Sequence, residues 1–273
     1  MNLKVTFLGT GTSHGVPMIG CTCAVCRSTD PRDRRTRPSI LIEILERPPS
    51  VGTSATLAHA VRSILVDTAT DLRAQALAND VTRVDTILFT HSHADHILGL
   101  DEVRRFNVMQ KASMPCLGDE RTLNDLRRTF AYIFDPSPGL GGGIPQLALF
   151  RIGGPFTLGG VEFAPVPLLH GRRPILGFRV GSFAYLTDCS AIPDSSWPLV
   201  EGVRTLVVDA LRDRPHPTHF TVAEALDVVA RVSPERAFFT HICHDLPHEV
   251  TNRSLPEGMA LAFDGLRFAV EVG

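Results

Sequence analysis

The chain has 273 residues, of which 44% are hydrophobic and 21% charged, and its formal net charge is −2. That composition is ordinary for a globular protein able to bury a sizeable core, and it excludes a protein that grips nucleic acid chiefly through a broad cationic surface. A membrane span is excluded too, because no run approaches about 18 uninterrupted apolar residues.

The apolar run Leu3 to Leu8 is interrupted at once by the segment Gly9 to Gly15, so no signal peptide is expected and the cytoplasm is the default location. There the cysteines should be reduced, and clustered thiols read as metal ligands before they read as disulfides. In chain order, short apolar runs bounded by turn residues predict strands at Leu3 to Leu8, Ser39 to Leu45, Ser63 to Val66 and Thr86 to Phe89. Further strands are predicted at Val161 to Leu169, Leu176 to Val180, Phe183 to Leu186, Thr205 to Val208, Ala237 to Phe239 and Leu266 to Val270. Helical patterns cover about Asp71 to Ala78, Asp119 to Tyr132 and Thr221 to Val232. In the last of these Val222, Ala225, Leu226 and Val229 share one face, Thr221 and Glu224 form a capping-box pattern, and Ser233-Pro234 ends the helix. Strands mixed with helices predict a layered α/β or α+β fold. The stretches Glu46 to Ala60 and Asp135 to Pro145 read as surface loops. Neither has the composition of a linker, so a single domain spanning the chain is expected.

The strongest chemical signal is His91-x-His93-x-Asp95-His96, directly after the apolar run Thr86 to Phe89. In extended backbone, residues two apart point to one side, which lets His91 and His93 converge on one ion. As the chain turns onward, Asp95 and His96 can face a second. Imidazole and carboxylate suit zinc, manganese or iron. A lone histidine would read as a loop or surface residue. Three histidines and an aspartate packed together after a buried strand do not.

Such a segment needs further ligands from elsewhere. His170, Asp188 and His241 each follow an apolar run, so all three should gather along one edge of the sheet structure, where loops carry chemistry on a rigid scaffold. Nearer the N-terminus, Cys21-x-Cys23-x-x-Cys26 supplies three soft ligands and points to a structural zinc, with His244 favoured as the fourth. Cys116, Cys189 and Cys243 are scattered and read as packed core or loop residues.

The order His-x-His-x-Asp-His, single histidine, aspartate, last histidine resembles the metallo-β-lactamase superfamily over nearly the whole chain, from Thr6-Phe7-Leu8-Gly9-Thr10-Gly11 onward. The resemblance implies a four-layer αββα sandwich. It implies that His91, His93 and His170 hold one metal, that Asp95, His96 and His241 hold another, and that Asp188 bridges them. Asp67, after Ile64-Leu65-Val66, matches an aspartate that orients a histidine from behind; a turn aspartate is the competing reading. Gly11-Thr12-Ser13-His14-Gly15-Val16-Pro17, the cysteine cluster and Thr240-His241-Ile242-Cys243-His244 are similar to the PhnP-type phosphodiesterases, which hydrolyse phosphoribosyl 1,2-cyclic phosphate. That likeness implies a Cys21, Cys23, Cys26 and His244 zinc site tying two loops together, and it leaves a homodimer possible.

The expected function is therefore a dinuclear metal-dependent hydrolase acting on a small cyclic phosphodiester such as phosphoribosyl 1,2-cyclic phosphate, with two divalent cations in the active site (zinc or manganese, or iron) and one structural zinc. Paired cations lower the pKa of a shared water and polarise a phosphoryl oxygen. His219, which resembles the family's catalytic histidine, is expected to donate a proton to the leaving oxygen, and Asp95 is counted with it among the catalytic residues. Arg172 and Arg173 could help hold a phosphate, or stand solvated. His14 could touch substrate or decorate a turn. His59, His216 and His248 are read as surface residues. A tRNA-processing nuclease shares the metal set, but the slight negative charge and the lack of a long basic arm count against it. A thioester or lactone hydrolase lacks the cysteine cluster, a secreted β-lactamase would need a signal peptide, and a zinc-stabilised binding protein would be expected to have lost some ligands.

Overall fold

A computed structural model describes residues 1–45, 60–135 and 143–272. In chain order the first sheet takes β1 (Asn2–Gly9), β2 (Ser39–Leu45), β3 (Ala60–Val66), β4 (Thr86–Leu88), β5 (Met114–Gly118) and β6 (Leu147–Arg151). The second takes β7 (Phe156–Leu158), β8 (Val161–His170), β9 (Arg173–Val180), β10 (Phe183–Leu186), β11 (Thr205–Asp209), β12 (Arg236–Thr240) and β13 (Met259–Leu261). The last strand, β14 (Arg267–Glu271), returns to pair with β1, giving the orders β14-β1-β2-β3-β4-β5-β6 and β13-β12-β11-β10-β9-β8-β7.

Both sheets are built alike. The first is antiparallel as far as β3 and parallel from β3 to β6. The second is antiparallel from β7 to β10 and parallel from β10 to β13. Strand alternation explains the layering. Ile40, Ile42, Ile44, Ile64 and Val66 face the second sheet, meeting Phe163, Phe178, Phe183, Tyr185 and Val207 in the inter-sheet core. The interleaved Leu41, Leu65 and Ile87 face outward onto α1 (Leu72–Ala78), α3 (Val103–Gln110) and α4 (Glu120–Thr129). On the far side Leu206, Val208, Ala237 and Phe239 pack against Ala225, Val228 and Val229 of the helix at Val222–Val232. Helix, sheet, sheet, helix is the αββα sandwich that the family resemblance implies.

The predicted strands all form. The capping box of the helix at Val222–Val232 is present, with Thr221 and Glu224 satisfying each other's backbone, and Ser233 closes the helix in a left-handed conformation. The predicted helix at Asp119 to Tyr132 is corrected. It breaks at Phe130 (φ −112, ψ 44), which leaves α4 to turn its ring into the core, and a short α5 (Ala131–Phe134) follows. His248 is corrected from surface to core. It is 2% exposed, stands edge-on to Phe263, and burial holds its pKa down to about 4. His216 is half-buried. Cys116, Cys189 and Cys243 are buried and free. Residues 46–59, including the predicted Glu46 to Ala60 loop and His59, lie outside the described residues apart from Ala60, as do 136–142 of the Asp135 to Pro145 loop. Among the described residues no helix is long and apolar enough to cross a membrane.

Candidate metal centre

The point where each sheet changes from antiparallel to parallel places strand C-termini side by side, the edge at which open sheets bind ligands. Asp67 follows β3, His91 follows β4, Asp188 follows β10, Asp209 ends β11, His241 follows β12 and His170 ends β8. His93 sits in extended backbone at the N-cap position of α2 (Ala94–Ile97), which carries Asp95 and His96. Three of these residues leave their strands in the left-handed region: Asp67 at φ 64, Asp188 at φ 60 and His241 at φ 58. Non-glycine residues adopt that conformation at a cost of about 1–3 kcal/mol, so the surrounding packing must hold them there.

The seven residues come together in two groups. Donor atoms of His91, His93 and His170 lie within 4.8 Å of one another, and so do those of Asp95, His96, Asp188 and His241. Asp188 adjoins both, with its Oδ2 at 2.9 Å from His96 Nε2, 3.1 Å from His241 Nε2 and 3.7 Å from His91 Nε2. All are buried except the half-buried His93.

Most rings are fixed from behind. His96 Nδ1 donates to Asp67 Oδ2 at 2.7 Å, the Thr90 hydroxyl donates to the same carboxylate, and His91 Nδ1 meets the Thr90 hydroxyl oxygen at 3.0 Å. His170 Nδ1 donates to the Asp188 carbonyl at 2.6 Å. Each bond turns the opposite nitrogen, Nε2, toward the centre. His91 Nε2 and His241 Nε2 are buried there without any hydrogen bond, although Asp188 lies close to both. His96 Nε2 does bond Asp188 Oδ2, but the His91 and His241 Nε2 atoms crowd the same point unpaired and fit ligands to a shared cation, since a buried unpaired nitrogen is otherwise costly.

The electrostatics agree. Burial pushes His241 down, yet the Asp188 carboxylate outweighs it and holds the ring up to about 10. Burial would raise Asp188, but the His241 and His96 rings hold it well below the usual carboxylate range. An anionic field that draws protons onto these rings equally draws a dication into their place.

The thiols make a second cluster. Cys21, Cys23 and Cys26 Sγ lie 3.2, 3.4 and 3.6 Å from His244 Nδ1. Three sulfurs and one nitrogen at such spacing fit a closed tetrahedral zinc site. Cys23 is lowered to about 6, chiefly by the Cys26 backbone amide, which favours the ligand-competent thiolate. The loops that carry the cluster are tied elsewhere as well. Ile242 and Thr10 to Thr12 exchange backbone hydrogen bonds, and Gly11 packs so closely on the Arg35 carbonyl that a Cβ would lie 2.6 Å from its oxygen. Arg35, fully buried, donates to the Cys243 and Leu246 carbonyls and to Asp33.

His219 lies beside the histidine groups, its ring 4.7 Å from His170 and 4.4 Å from His241, with Nδ1 donating to Asp209 Oδ2 at 2.7 Å. Asp209 is not among the residues the sequence analysis singles out. It carries the same signal as Asp188, an aspartate after an apolar strand, and could have been found by it. His14 is exposed and lines a cavity of about 290 Å³ shared with His216, His219 and His244. Arg173 is half-buried against Ser92, while Arg172 is exposed.

Residues 62–242 match the family model described as Beta-lactamase superfamily domain, which is more than half of the chain. The chain belongs to the β-lactamase superfamily. Its two mixed sheets flanked by helices are the metallo-β-lactamase fold, a hydrolase fold that implies divalent metal binding. A solved diphosphatase of the PhnP family is 43% identical with a TM-score of 0.88, over 100% of this chain and 98% of that one. Zinc-bound PqqB from Methylobacterium extorquens shares the fold at 16% identity and a TM-score of 0.72, over 97% of this chain and 99% of that one. A curated protein named octanoyltransferase, from Porphyromonas gingivalis (strain ATCC BAA-308 / W83), is 32% identical over 271 residues, 98% of this chain and 52% of its own length. The chain thus spans about half of that relative.

Proposed function

We propose that this superfamily member is a dinuclear metal-dependent phosphodiesterase acting, within one domain and in the cytoplasm, on a small phosphodiester. The observation that carries the reading is Asp188, shared between two buried ligand groups with the His219–Asp209 pair alongside. His91, His93 and His170 would hold one cation, Asp95, His96 and His241 the other, and Asp188 would bridge them. Zinc, manganese and iron all suit this donor set. Bound there, the cations supply Lewis acidity toward a phosphoryl oxygen and lower the pKa of water.

The chain's own groups do the rest. Asp67 keeps the His96 ring in place, and the Asp188 carbonyl does so for His170. Asp209 accepts the Nδ1 proton of His219, so the opposite nitrogen is the one that gives a proton to the departing oxygen. The ligand side chains are buried apart from half-buried His93, and His219 also lines the cavity it shares with His14 and His216. The 43% identity with a protein named as a diphosphatase supports attack at phosphorus, and it favours a second reading in which the cleaved bond is a P–O–P linkage.

The test is His219→Ala, assayed with bis(p-nitrophenyl) phosphate, a ribose 1,2-cyclic phosphate and a nucleoside diphosphate ester. Metal content should hold while turnover falls about 10²–10⁴-fold on the preferred class. Unchanged rates would remove His219 from the mechanism. Full metal occupancy in the wild type with no hydrolysis of any of the three would overturn the enzymatic reading in favour of a zinc-stabilised binding protein.

A further inference from the structure

Ser92 stands between His91 and His93, two members of the three-histidine group. Neither His91 nor Ser92 makes a backbone hydrogen bond among the described residues, so this stretch depends on side-chain ties. The Ser92 hydroxyl donates to Asp125 of α4. Arg173 brings Nη2 to 2.5 Å from the Ser92 oxygen and 3.2 Å from Asp125 Oδ2, which closes a triangle of polar contacts. Arg173 also opens β9 as the cross-strand partner of His170, the third histidine of the group. The triangle therefore joins the two chain segments that carry all three histidines.

A surface ion pair contributes little, and Arg128, whose side chain is 79% exposed, is that kind of partner for Asp125. Arg173 and Asp125 differ, with 18% of each side chain exposed. Burial would raise the Asp125 carboxyl, but the Ser92 hydroxyl and the Arg128 and Arg173 guanidinium groups hold it below its usual range, so it stays an acceptor. His93 shows why a tie is needed there. His91, His96 and His170 each have Nδ1 fixed by Thr90, Asp67 or Asp188. The His93 ring makes no hydrogen bond among the described residues and packs edge-on to His91 and His170, with centroids at 4.5 and 4.9 Å. Among the described residues, no hydrogen bond joins the triangle to Asp95, His96, Asp188 or His241.

We infer that Asp125 is a positioning residue, which through Ser92 and Arg173 sets the spacing of His91, His93 and His170 as one group. The Asp95, His96 and His241 group is left to its own supports. The inference rests on the two-cation reading above and adds to it a difference between the two sites. Residues that orient metal ligands from behind change metal affinity by about 10–100-fold, so a loss of that size should fall on one ion and spare the other.

Titration of Mn(II) into the intact Asp125→Ala protein tests it, with uptake followed by chelator competition and by electron paramagnetic resonance. The wild type should bind two ions in the histidine cluster and show the spectrum of a coupled pair. In the variant one ion should bind about 10–100-fold more weakly and the other as before, so the spectrum of an isolated ion should appear at intermediate Mn(II). Ser92→Ala should give the same loss, and the double variant no more than either alone, because both act through one link. Asp125→Asn, which keeps an acceptor for the Ser92 hydroxyl, should recover part of the affinity. Equal weakening of both ions, or of neither, would overturn the inference, and so would additive losses in the double variant. A wild-type cluster that takes up a single ion, bound more weakly after Asp125→Ala, would overturn the two-cation reading and uphold the positioning role. A single ion unmoved by the variant would overturn both.

Discussion

The two ligand clusters of this molecule are built on opposite plans. The histidine–aspartate cluster takes its members from four separate strand ends and the start of α2, and each ring with an assigned partner is held from behind by a carboxylate, a hydroxyl or a carbonyl. The cysteine cluster takes three of four members from one short loop and has only half-buried or marginally buried donors. The first has an open side at His93. The second is complete in itself. An open site with a rigid surround is a place for chemistry, and a closed one in a loop is a clip.

Three perturbations test that contrast, in falling order of effect. Asp188→Ala removes the carboxylate shared by both histidine groups. It should lower hydrolysis by about a thousandfold or more, the scale seen when one member of an interdependent set is lost, while elemental analysis still finds the metal of the thiol cluster. Loss of that metal too would mean the clusters are one unit. Cys26→Ala should do the reverse. A closed metal at a thousand times its Kd contributes about 4 kcal/mol, so the melting temperature should drop by roughly 10 °C with the histidine cluster still loaded. An unmoved melting curve would refute the clip.

The third perturbation concerns how the cysteine loop is rooted. Half-buried Asp264 accepts from the backbone and hydroxyl groups of both Thr10 and Thr36, and desolvation raises its pKa to about 6. A carboxyl raised in the folded state binds its proton more tightly there than when unfolded. Its contribution is therefore complete below about pH 4 and is lost as pH rises through about 6. Two pKa steps correspond to about 3 kcal/mol. Urea titrations of metal-free wild type and Asp264→Asn should show the wild type gaining stability on the variant by up to that amount between pH 6 and pH 4. Parallel pH profiles would rule out Asp264 as the titrating anchor.

Sequence patterning made much of this legible. Long apolar runs with clear breaks named ten strands, and the ligand candidates that followed such runs do converge. What it missed had weak or contrary local signals. β5 contains Pro115 and only five residues, β7 and β13 have three each, and β6 is an edge strand with no buried position. The segment Val103–Gln110 lacks a side-chain cap and carries two adjacent arginines, so its helical face was hard to see. Arg35, Asp264 and His248 look like surface residues in sequence because their partners lie up to 254 positions away. Asp209 was overlooked although the rule that found Asp188 applied to it.

The left-handed turns at Asp67, Asp188 and His241 have a kinetic consequence. Residues forced into that shape by neighbouring strands are already aimed before any ion arrives, so capture needs no large rearrangement of the chain. Uptake should then track encounter with the cation and the shedding of its hydration, rather than a slow refolding of the pocket. The same rigidity leaves the donors little room to follow an ion of a different radius.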